Sequence, residues 1–359
     1  MEQRKYLADF SLALVNRTGA YYISRDIIGS LSQYFDRVRY WRLHFSHPPA
    51  GLVRKILAKL MLQEISWLGS AEWVQPNADA RLPTVFFDPL YVLRADLGRD
   101  DIVLCHDVGP VSHPDLFDTD TVRTYKAAYS RLQSAAPGVV FVSQASRLEF
   151  AKYFGSDFRF LHAIPLYARP VLHQGPQAPV EGVARPFLLT VAALERRKNY
   201  TRVIEAYARA GLHDKGIAYV FCGPRANASA EILAAAGRTP GVVRLPYVPD
   251  AQLRWLYANA SGFVLPSLLE GFGVPALEAA GAGLVPLVSR GGAQEEAIGG
   301  NGILVDPLSV DSIAAGLTAL IAMNEAERSA MVARAKAHAE AMTRDLFLQR
   351  WDAVLRDNA

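Results

Sequence analysis

The sequence predicts an α/β protein with two doubly wound domains, each a parallel sheet with helices on both faces. Strand-like apolar runs alternate with helical patterns along the chain, which is typical of parallel sheets with crossover helices. The chain has 359 residues, more than a single hydrophobic core usually organises. Ile164 to Pro186 carries five prolines and no periodicity, which is typical of a linker of restricted flexibility.

We therefore predict a first domain at residues 1–165, a linker at 166–185, a second domain at 186–342 and a final helical segment at 343–359. Hydrophobic residues make up 51% of the chain and charged residues 20%, which excludes the class of disordered proteins. The formal net charge is only +3. Such a small basic excess does not indicate binding to nucleic acid, and we expect no such partner.

Short runs of apolar, β-branched and aromatic residues predict the strands, and apolar residues at helical spacing predict the helices. In the first half we expect strands at 6–15, 84–87, 102–105 and 139–143, with helices at 21–35, 51–68, 121–134 and 144–154. In the second half we expect strands at 187–192, 218–222, 242–245, 261–265, 284–289 and 302–305, with helices at 200–210, 228–236, 251–258, 310–322, 325–341 and 345–355. Ligands of such sheets bind beyond the carboxyl ends of the strands, so we expect the functional loops to follow strands and to face a cleft.

The two cysteines, Cys105 and Cys222, each end an apolar run. Two distant cysteines form neither a metal-binding pattern nor a secreted disulfide framework, so we expect buried, reduced thiols in a cytoplasmic protein. Asp9 interrupts the apolar run near the N-terminus and no small-residue cleavage site follows, which favours a first strand over a signal peptide. No run approaches the ~20 apolar residues that span a bilayer.

A glycine loop lies between the strand at 261–265 and Pro275, which occupies the first turn of the next helix. Gly271 and Gly273 flank Phe272 in this loop. The glycines allow a tight turn that brings backbone N–H groups close to a ligand, and the positive end of the helix dipole points at the same place. We therefore expect an anion, most simply a phosphate, to bind there.

Two carboxylates, Glu270 and Glu278, bracket the glycine loop. Like charges in one dry site cost several kcal/mol or force a protonation, so neither carboxylate is expected to face a phosphate directly. They are expected instead to accept hydrogen bonds from neutral hydroxyls, and a nucleotide-sugar offers hydroxyl-rich rings on both sides of a diphosphate. The alternative is that Glu278 belongs to a capping box and the glycines form an ordinary turn.

Cations and a histidine follow other predicted strands. Arg197 and Lys198 lie just beyond the strand at 187–192, where they could neutralise phosphates held by the glycine loop, although a surface role is the alternative. His106, which precedes Asp107 at a strand end, could contact a sugar hydroxyl or be structural. Gly19 ends a second, weaker glycine turn after the first strand, which we expect to face the cleft and to help bind the nucleotide-sugar.

No metal site is predicted. Asp118 and Asp120 superficially match a paired-aspartate metal motif, but they lie in a polar loop, which indicates helix capping for the segment at Thr121. No histidine and cysteine cluster has metal-ligand spacing, and no Walker lysine loop is present.

These residues together resemble the retaining glycosyltransferases of family 4, which have the GT-B architecture of two Rossmann-like domains. The resemblance covers most of the chain. Its specific motif is EGFGVPALE, from Glu270 to Glu278, which is similar to the paired-glutamate motif of the family. Supporting motifs are LERRKN at 194–199, His106-Asp107 with HPDLF at 113–117, Val142-Ser143 and GILVDP at 302–307.

The resemblance implies roles for the glycine loop and its carboxylates. Glu278 would hold the nucleotide ribose, Glu270 the donor sugar, and the loop amides around Phe272 and Gly273 the diphosphate. Gly271 and Val274 belong to the same predicted binding loop.

The resemblance also implies roles outside that loop. Arg197 and Lys198 would stabilise the leaving phosphate, and His106 would sit beside the transferred sugar, so His106, Lys198 and Glu270 are the predicted catalytic residues. Many members carry Gly-Arg where this chain has Ala192-Ala193, so one phosphate-binding arginine is absent. The final helix would cross back to the first domain.

The resemblance implies a metal-independent hexosyltransferase that acts with retention and uses a nucleotide-sugar as cosubstrate, with no bound cofactor. The predicted reaction transfers mannose from GDP-mannose to a membrane lipid-linked saccharide acceptor in bacterial cell-surface polysaccharide synthesis. Alternatives are a UDP-sugar-dependent transferase, or an epimerase or hydrolase of the same architecture. A non-catalytic alternative is a nucleotide-sugar sensor or scaffold.

A basic stretch indicates where an acceptor could be presented. Six basic residues and no acidic one occur from Arg37 to Lys59. The segment at 51–68 is predicted to be an amphipathic helix, with Leu52, Ile56 and Leu60 on one side. Such a helix can lie on an anionic membrane, which predicts a peripheral enzyme on the cytoplasmic face, although packing against its own domain is the alternative.

Overall fold

The computed structural model describes residues 5–15, 19–68, 82–169 and 175–358. The chain divides into two compact units, of which the first comprises Met1–Pro165 with Asp345–Ala359 and the second comprises Leu166–Arg344. Each unit is an α/β structure around its own largely parallel sheet. This confirms the fold class predicted from the alternation of strands and helices.

The strands of the first unit form one sheet. In the described part of the chain they are β1 (Tyr6–Asp9), β2 (Phe35–Tyr40), β3 (Leu43–His44), β4 (Thr84–Phe86), β5 (Ile102–Cys105), β6 (Gly138–Phe141) and β7 (Phe160–Ala163). Their order is β3-β2-β1-β4-β5-β6-β7, and neighbours are parallel except β2 and β3. The helices of this unit before residue 165 are α1 (Leu12–Val15), α2 (Gly19–Ser30), α3 (Gly51–Leu68), α4 (Gly109–Ser112), α5 (Thr119–Ala135) and α6 (Gln144–Phe154).

Two predicted elements of the first unit end well before their predicted last residue. The strand predicted at 6–15 stops at Asp9 because its buried carboxylate accepts a hydrogen bond from the Ser11 amide at 3.1 Å and turns the chain into α1. The helix predicted at 21–35 stops at Ser30, and Phe35 begins β2. Strand β2 was missed because it contains the charged residues Asp36, Arg37 and Arg39, of which the first two are exposed.

The strands of the second unit also form one sheet. They are β8 (Phe187–Val191), β9 (Ala218–Cys222), β10 (Val242–Leu245), β11 (Gly262–Leu265), β12 (Pro286–Ser289) and β13 (Ile303–Val305). Their order is β10-β9-β8-β11-β12-β13, and every neighbouring pair is parallel. The helices are α7 (Tyr200–Arg209), α8 (Ser229–Arg238), α9 (Asp250–Asn259), α10 (Val274–Gly281), α11 (Gly292–Ala297), α12 (Val310–Ala322) and α13 (Glu325–Ala341).

The C-terminal helix α14 (Arg344–Asp357) packs on the first unit. Phe347 and Trp351 are buried on its inner face. The Tyr34 hydroxyl donates a hydrogen bond of 2.8 Å to the carboxylate of Asp352. The final helix therefore crosses back to the first unit, as the family resemblance implied.

Candidate functional site

The topology of the second unit places two loops at one point. Strands β8 and β11 are neighbours, and the strand order reverses between them. In open parallel sheets, ligands bind beyond the carboxyl ends of the strands at such a reversal. The loops after β8 and β11 are the two that carry the predicted cations and the predicted glycine turn.

Backbone and side-chain hydrogen bonds fix these two loops to each other. Asn199 adopts a left-handed backbone conformation with φ 63°. Its side-chain amide donates hydrogen bonds to the carbonyls of Pro266 at 2.9 Å and Pro307 at 2.7 Å. The Leu268 amide donates to the Arg197 carbonyl at 2.7 Å. The buried Asn199 amide therefore ties together the segments that follow β8, β11 and β13.

A buried cluster of opposite charges forms where the two loops meet. Lys198 Nζ lies 2.5 Å from Oε1 of Glu270, and Arg197 Nη1 lies 3.2 Å from Oε2. The Ser267 hydroxyl donates to Oε1 at 2.9 Å. The side chains of Lys198 and Glu270 are only 8% and 7% exposed. Glu270 thus holds both predicted phosphate-binding cations at the carboxyl edge of the sheet.

The charges within this cluster shift the pKa values of Glu270 and Lys198. Burial alone would raise the pKa of Glu270, but the charges of Lys198 and Arg197 and the hydrogen bonds it accepts hold that pKa below the ordinary value. Burial lowers the pKa of Lys198, and the Glu270 carboxylate opposes that shift. Glu270 is therefore an ionised acceptor at neutral pH.

The glycine turn requires a residue without a side chain. Gly273 has φ +110°, and a Cβ added there would lie 3.2 Å from Cγ of Gln294 and 3.3 Å from its Cα. Helix α10 begins directly afterwards with Val274 and Pro275. The positive end of a helix dipole therefore lies beside the cation cluster, as the sequence predicts.

Gln294 links the segments beneath the glycine turn through side-chain hydrogen bonds. Its amide donates to the Leu265 carbonyl at 2.7 Å, and its side-chain oxygen accepts from the amides of Ser267 at 3.2 Å and Ser289 at 3.4 Å. The residue is buried on the short helix α11. It thereby connects the ends of β11 and β12 under the glycine turn.

The second carboxylate of the paired motif lies on α10 and has a different cation. Glu278 is 1% exposed, and its Oε1 and Oε2 accept hydrogen bonds from Nε and Nη2 of Arg169 at 2.6 and 3.2 Å. The sequence predicted that both glutamates face neutral hydroxyls. In the structure, arginine and lysine side chains contact both carboxylates, and the contacts of the carboxylates with ligand hydroxyls stay predictions.

Most of the predicted site residues lie in the second unit. These are Arg197, Lys198, Glu270, Gly271, Phe272, Gly273, Val274 and Glu278. Gly19 and His106 belong to the first unit. Gly19 is the first residue of α2, and the rest of its predicted turn, residues 16–18, lies outside the described residues. The roles of all these predicted site residues in binding a ligand stay predictions.

His106 follows β5 and has an unusual environment. Its Nε2 is buried and has no hydrogen-bond partner among the residues that the structure describes. Burial lowers the pKa of the imidazole, although the nearby Asp107 carboxylate opposes the shift. His106 is therefore neutral near pH 7, which suits a hydrogen-bonding role better than a fixed positive charge.

Two further predictions about side chains are confirmed. Asp118 caps α5 by accepting a hydrogen bond of 2.8 Å from the Thr121 amide. Cys105 and Cys222 are buried free thiols. Within the described ranges, no cluster of histidine, cysteine, aspartate and glutamate side chains could hold a metal ion.

Helix α3 presents apolar residues on two faces. Leu57, Met61, Ile65 and Leu68 are buried against the first unit, whereas the predicted stripe of Leu52, Ile56 and Leu60 is exposed, Leu52 by 72%. A surface groove of about 850 Å³ runs along the helix. Basic side chains line it together with apolar ones, and its lining includes Arg54, Lys55, Lys59, Trp67 and Arg123. No helix in the described part of the chain is long and apolar enough to cross a bilayer.

Sequence reasoning missed Arg169 and Gln294. Arg169 lies in the proline-rich segment and meets Glu278 across 109 positions of sequence, so no local pattern indicated the contact. For Gln294 a weak signal existed, since it lies in the first turn of a helix that begins at Gly292, shortly after a predicted strand. A polar residue in that position faces the carboxyl edge of the sheet.

Comparisons with known proteins show what the second half of the chain is similar to. A family model described as glycosyl transferases group 1 matches residues 176–338. O-antigen chain mannosyltransferase B of Escherichia coli is 29% identical over 64% of this chain and 63% of its own length. MMP alpha-(1->4)-mannosyltransferase of Mycolicibacterium hassiacum is 30% identical over 53% and 47%.

A third relative is GDP-mannose-dependent alpha-(1-6)-phosphatidylinositol monomannoside mannosyltransferase of Mycolicibacterium smegmatis, which is 27% identical over 55% of this chain and 56% of its own length. The chain thus matches less than two thirds of the length of each of these curated relatives. Their activities therefore bear on this chain only as support for a proposal.

Solved structures extend the likeness over the whole chain at the level of the fold. Sucrose-phosphate synthase of Thermosynechococcus elongatus superposes with a TM-score of 0.69 at 15% identity, covering 99% of each chain. WaaG, a glycosyltransferase involved in lipopolysaccharide biosynthesis, gives a TM-score of 0.67 at 16% identity over 97% of this chain and 99% of its own. Residues 176–338 therefore form a group 1 glycosyl transferase domain, and the chain as a whole has the GT-B fold.

Proposed function

We propose that this protein transfers mannose from GDP-mannose to a lipid-linked saccharide acceptor with retention at the anomeric carbon. The observation that carries the proposal is the cluster of Lys198 and Arg197 on Glu270, beside the N-terminus of α10 and at the reversal of strand order. The names of three sequence relatives, all mannosyltransferases, support the sugar, and one of them is called GDP-mannose-dependent.

The chemistry of the transfer explains why buried cations are needed. The bond between the anomeric carbon and the phosphate oxygen breaks, and its electron pair stays on the leaving diphosphate. An acceptor hydroxyl attacks the anomeric carbon from the same face, and its proton passes to the leaving phosphate. Lys198 has three N–H donors, of which one serves Glu270, so two can be donated to phosphate oxygens. These contacts strengthen as charge develops, which lowers the barrier.

Glu270 has a place on the sugar side of those cations. An ionised carboxylate has about four lone-pair positions, and Lys198, Arg197 and Ser267 occupy three of them. A donor-sugar hydroxyl can use the remaining capacity. Because Glu270 stays ionised, it acts as an acceptor and holder of the sugar rather than as a proton donor.

Helix α3 supports a lipid-linked acceptor. Its exposed apolar stripe carries Leu52, Ile56 and Leu60, and Lys55 and Lys59 line the adjoining groove. Exposed apolar side chains flanked by lysines suit an anionic membrane surface, because the apolar groups enter the interface while the ammonium groups meet lipid phosphates. We propose that the enzyme works as a peripheral protein on the cytoplasmic face of a membrane.

The transfer is tested with purified protein in two steps. Thermal-shift measurements with GDP, UDP and ADP identify the nucleotide. Radiolabelled GDP-mannose is then incubated with and without bacterial lipid extract. The proposal predicts label in a lipid-soluble product only when the extract is present. Free mannose as the sole product would indicate a hydrolase, and binding of nucleotide-sugar without turnover under any condition would favour a sensor.

Membrane docking is tested separately by sedimentation with vesicles that contain anionic phospholipid. Wild-type protein should sediment at low salt, and the double variant Lys55→Glu, Lys59→Glu should stay in the supernatant. A matched control reverses two exposed lysines elsewhere, Lys152 and Lys336, and should sediment like wild type. If wild-type protein fails to sediment with these vesicles at low salt, the docking proposal is wrong.

A further inference from the structure

The carboxylate that the family resemblance assigns to the ribose is paired with an arginine of the same unit. Glu278 lies on α10 and is almost completely buried, at 1% exposure. Both of its oxygens accept hydrogen bonds from Arg169, which lies in the segment between β7 and β8. The pair is therefore a bidentate contact between a core carboxylate and a connecting segment of the same unit.

Exposure shows which partner faces the solvent. The Arg169 side chain is 47% exposed, whereas that of Glu278 is 1% exposed. The guanidinium therefore lies between the carboxylate and the solvent. Partial burial works against its charge, but the hydrogen bonds and charge of Glu278 hold the pKa of Arg169 above the ordinary value.

We propose that Arg169 occupies the ribose position in the free protein and that the vicinal hydroxyls of the nucleotide displace it from Glu278. The inference rests on the proposed function, since it takes Glu278 as the ribose-binding carboxylate. Arg169 is then a residue that sets affinity and selects for an intact ribose.

The hydrogen-bond geometry supports this exchange. A guanidinium offers two parallel N–H donors to a carboxylate, and the 2′ and 3′ hydroxyls of a ribose offer two O–H donors at similar spacing. A buried carboxylate with few donors is costly, so Glu278, which otherwise faces the hydroxyl of the buried Tyr257, is stabilised by one set or the other. A 2′-deoxyribose has only one of these two hydroxyls, so it replaces only one of the two N–H donors of Arg169.

Removal of the Arg169 side chain should therefore tighten the binding of GDP. A half-exposed ion pair contributes modestly to stability, so Arg169→Ala should bind GDP about fivefold more tightly than wild type. Arg169→Lys keeps the positive charge but lacks the two parallel N–H donors. Its affinity for GDP should lie between those of wild type and Arg169→Ala. The preference for GDP over 2′-deoxy-GDP should be smaller in Arg169→Ala, because water can then supply the missing donor to Glu278.

The experiment is isothermal titration calorimetry of wild-type and variant proteins with GDP and 2′-deoxy-GDP, with UDP and ADP in parallel. Arg254→Ala is the matched control. It removes another arginine that contacts the connecting segment, through the Pro176 carbonyl, and it should bind like wild type. In a Glu278→Gln background the gain from Arg169→Ala should vanish, because the charge pair no longer exists.

The outcomes separate this inference from the proposed function. Tighter binding by Arg169→Ala that depends on Glu278 supports the exchange. If wild-type protein binds a nucleoside diphosphate and Arg169→Ala binds it equally or more weakly, the exchange is wrong and the proposed function stands. The same conclusion follows if the gain persists in Glu278→Gln. If wild-type protein binds none of the three nucleotides, the proposed function fails, and this inference fails with it. Melting temperatures without ligand show whether each variant is folded.

Discussion

Replacing Lys198 with methionine should lower kcat by about 10²-fold to 10³-fold. The methionine keeps most of the side-chain volume and removes the ammonium group. Loss of one preorganised donor to a developing negative charge commonly costs about 2.7–4 kcal/mol of transition-state stabilisation. Lys198 is only 8% exposed, so water cannot replace it at full strength and the upper part of this range is expected.

The assay follows release of GDP from GDP-mannose in the presence of the lipid acceptor, with kcat and KM determined separately. Lys215→Met is the matched control, because this exposed lysine contacts only the Ala210 carbonyl in the described part of the chain. It should leave kcat unchanged. The KM of Lys198→Met should change less than kcat, since the lost contact strengthens in the transition state.

A folding defect would imitate a catalytic one, because Lys198→Met leaves Glu270 with fewer partners. The double variant Lys198→Met, Glu270→Gln removes the charge on both sides of the pair and should recover the melting temperature without recovering turnover. A folded Lys198→Met protein that keeps more than a tenth of wild-type kcat would refute the assigned role of Lys198.

Three further predictions concern stability and binding. Gly273→Ala should lower the free energy of unfolding by about 1–2 kcal/mol and weaken GDP binding at least tenfold, because φ is +110° and the new Cβ lies 3.2 Å from Gln294; urea unfolding and calorimetry measure both. Gln294→Met should lower the free energy of unfolding by about 2–3 kcal/mol in the same urea assay, because it leaves buried backbone groups of β11 and β12 without their partner. Burial raises the pKa of Asp88 to about 6, so the folded protein keeps a proton that the unfolded chain releases, and this carboxylate makes the protein less stable as pH rises from about 4 to 6. Asp88→Asn should therefore gain stability relative to wild type by about 3 kcal/mol between pH 4 and pH 7, and an unchanged difference would contradict the raised pKa.

The sequence predicted the elements whose limits depend on local patterns. Helices α3, α6, α12 and α13 and strands β5, β9 and β10 begin and end where the sequence placed them. Several of these helices have caps that are legible in the sequence, such as Ser143 before α6 and Asn324 before α13. Patterns of this kind fail for β2, whose charged residues are tolerated only because it lies near the sheet edge.

Some features of the candidate site could likewise be predicted from local sequence patterns, and others could not. The glycine turn and the cations after β8 could be predicted, because parallel sheets bind ligands beyond their carboxyl ends. The pairing of Glu278 with Arg169 could not be predicted, since it depends on the path of a segment without periodicity. The two cations were expected to meet phosphate, and the structure adds that both of them contact Glu270.

The claim that the loops after β8 and β11 hold a diphosphate is tested most directly by comparing nucleotides that differ by one phosphate. Calorimetric titration of wild-type protein with GDP and GMP, and with UDP and UMP, isolates the contribution of the second phosphate. We predict that one diphosphate binds at least tenfold more tightly than its monophosphate, and that Lys198→Met removes most of that difference. Equal affinity for the diphosphate and the monophosphate, or a difference that Lys198→Met leaves intact, would contradict the account.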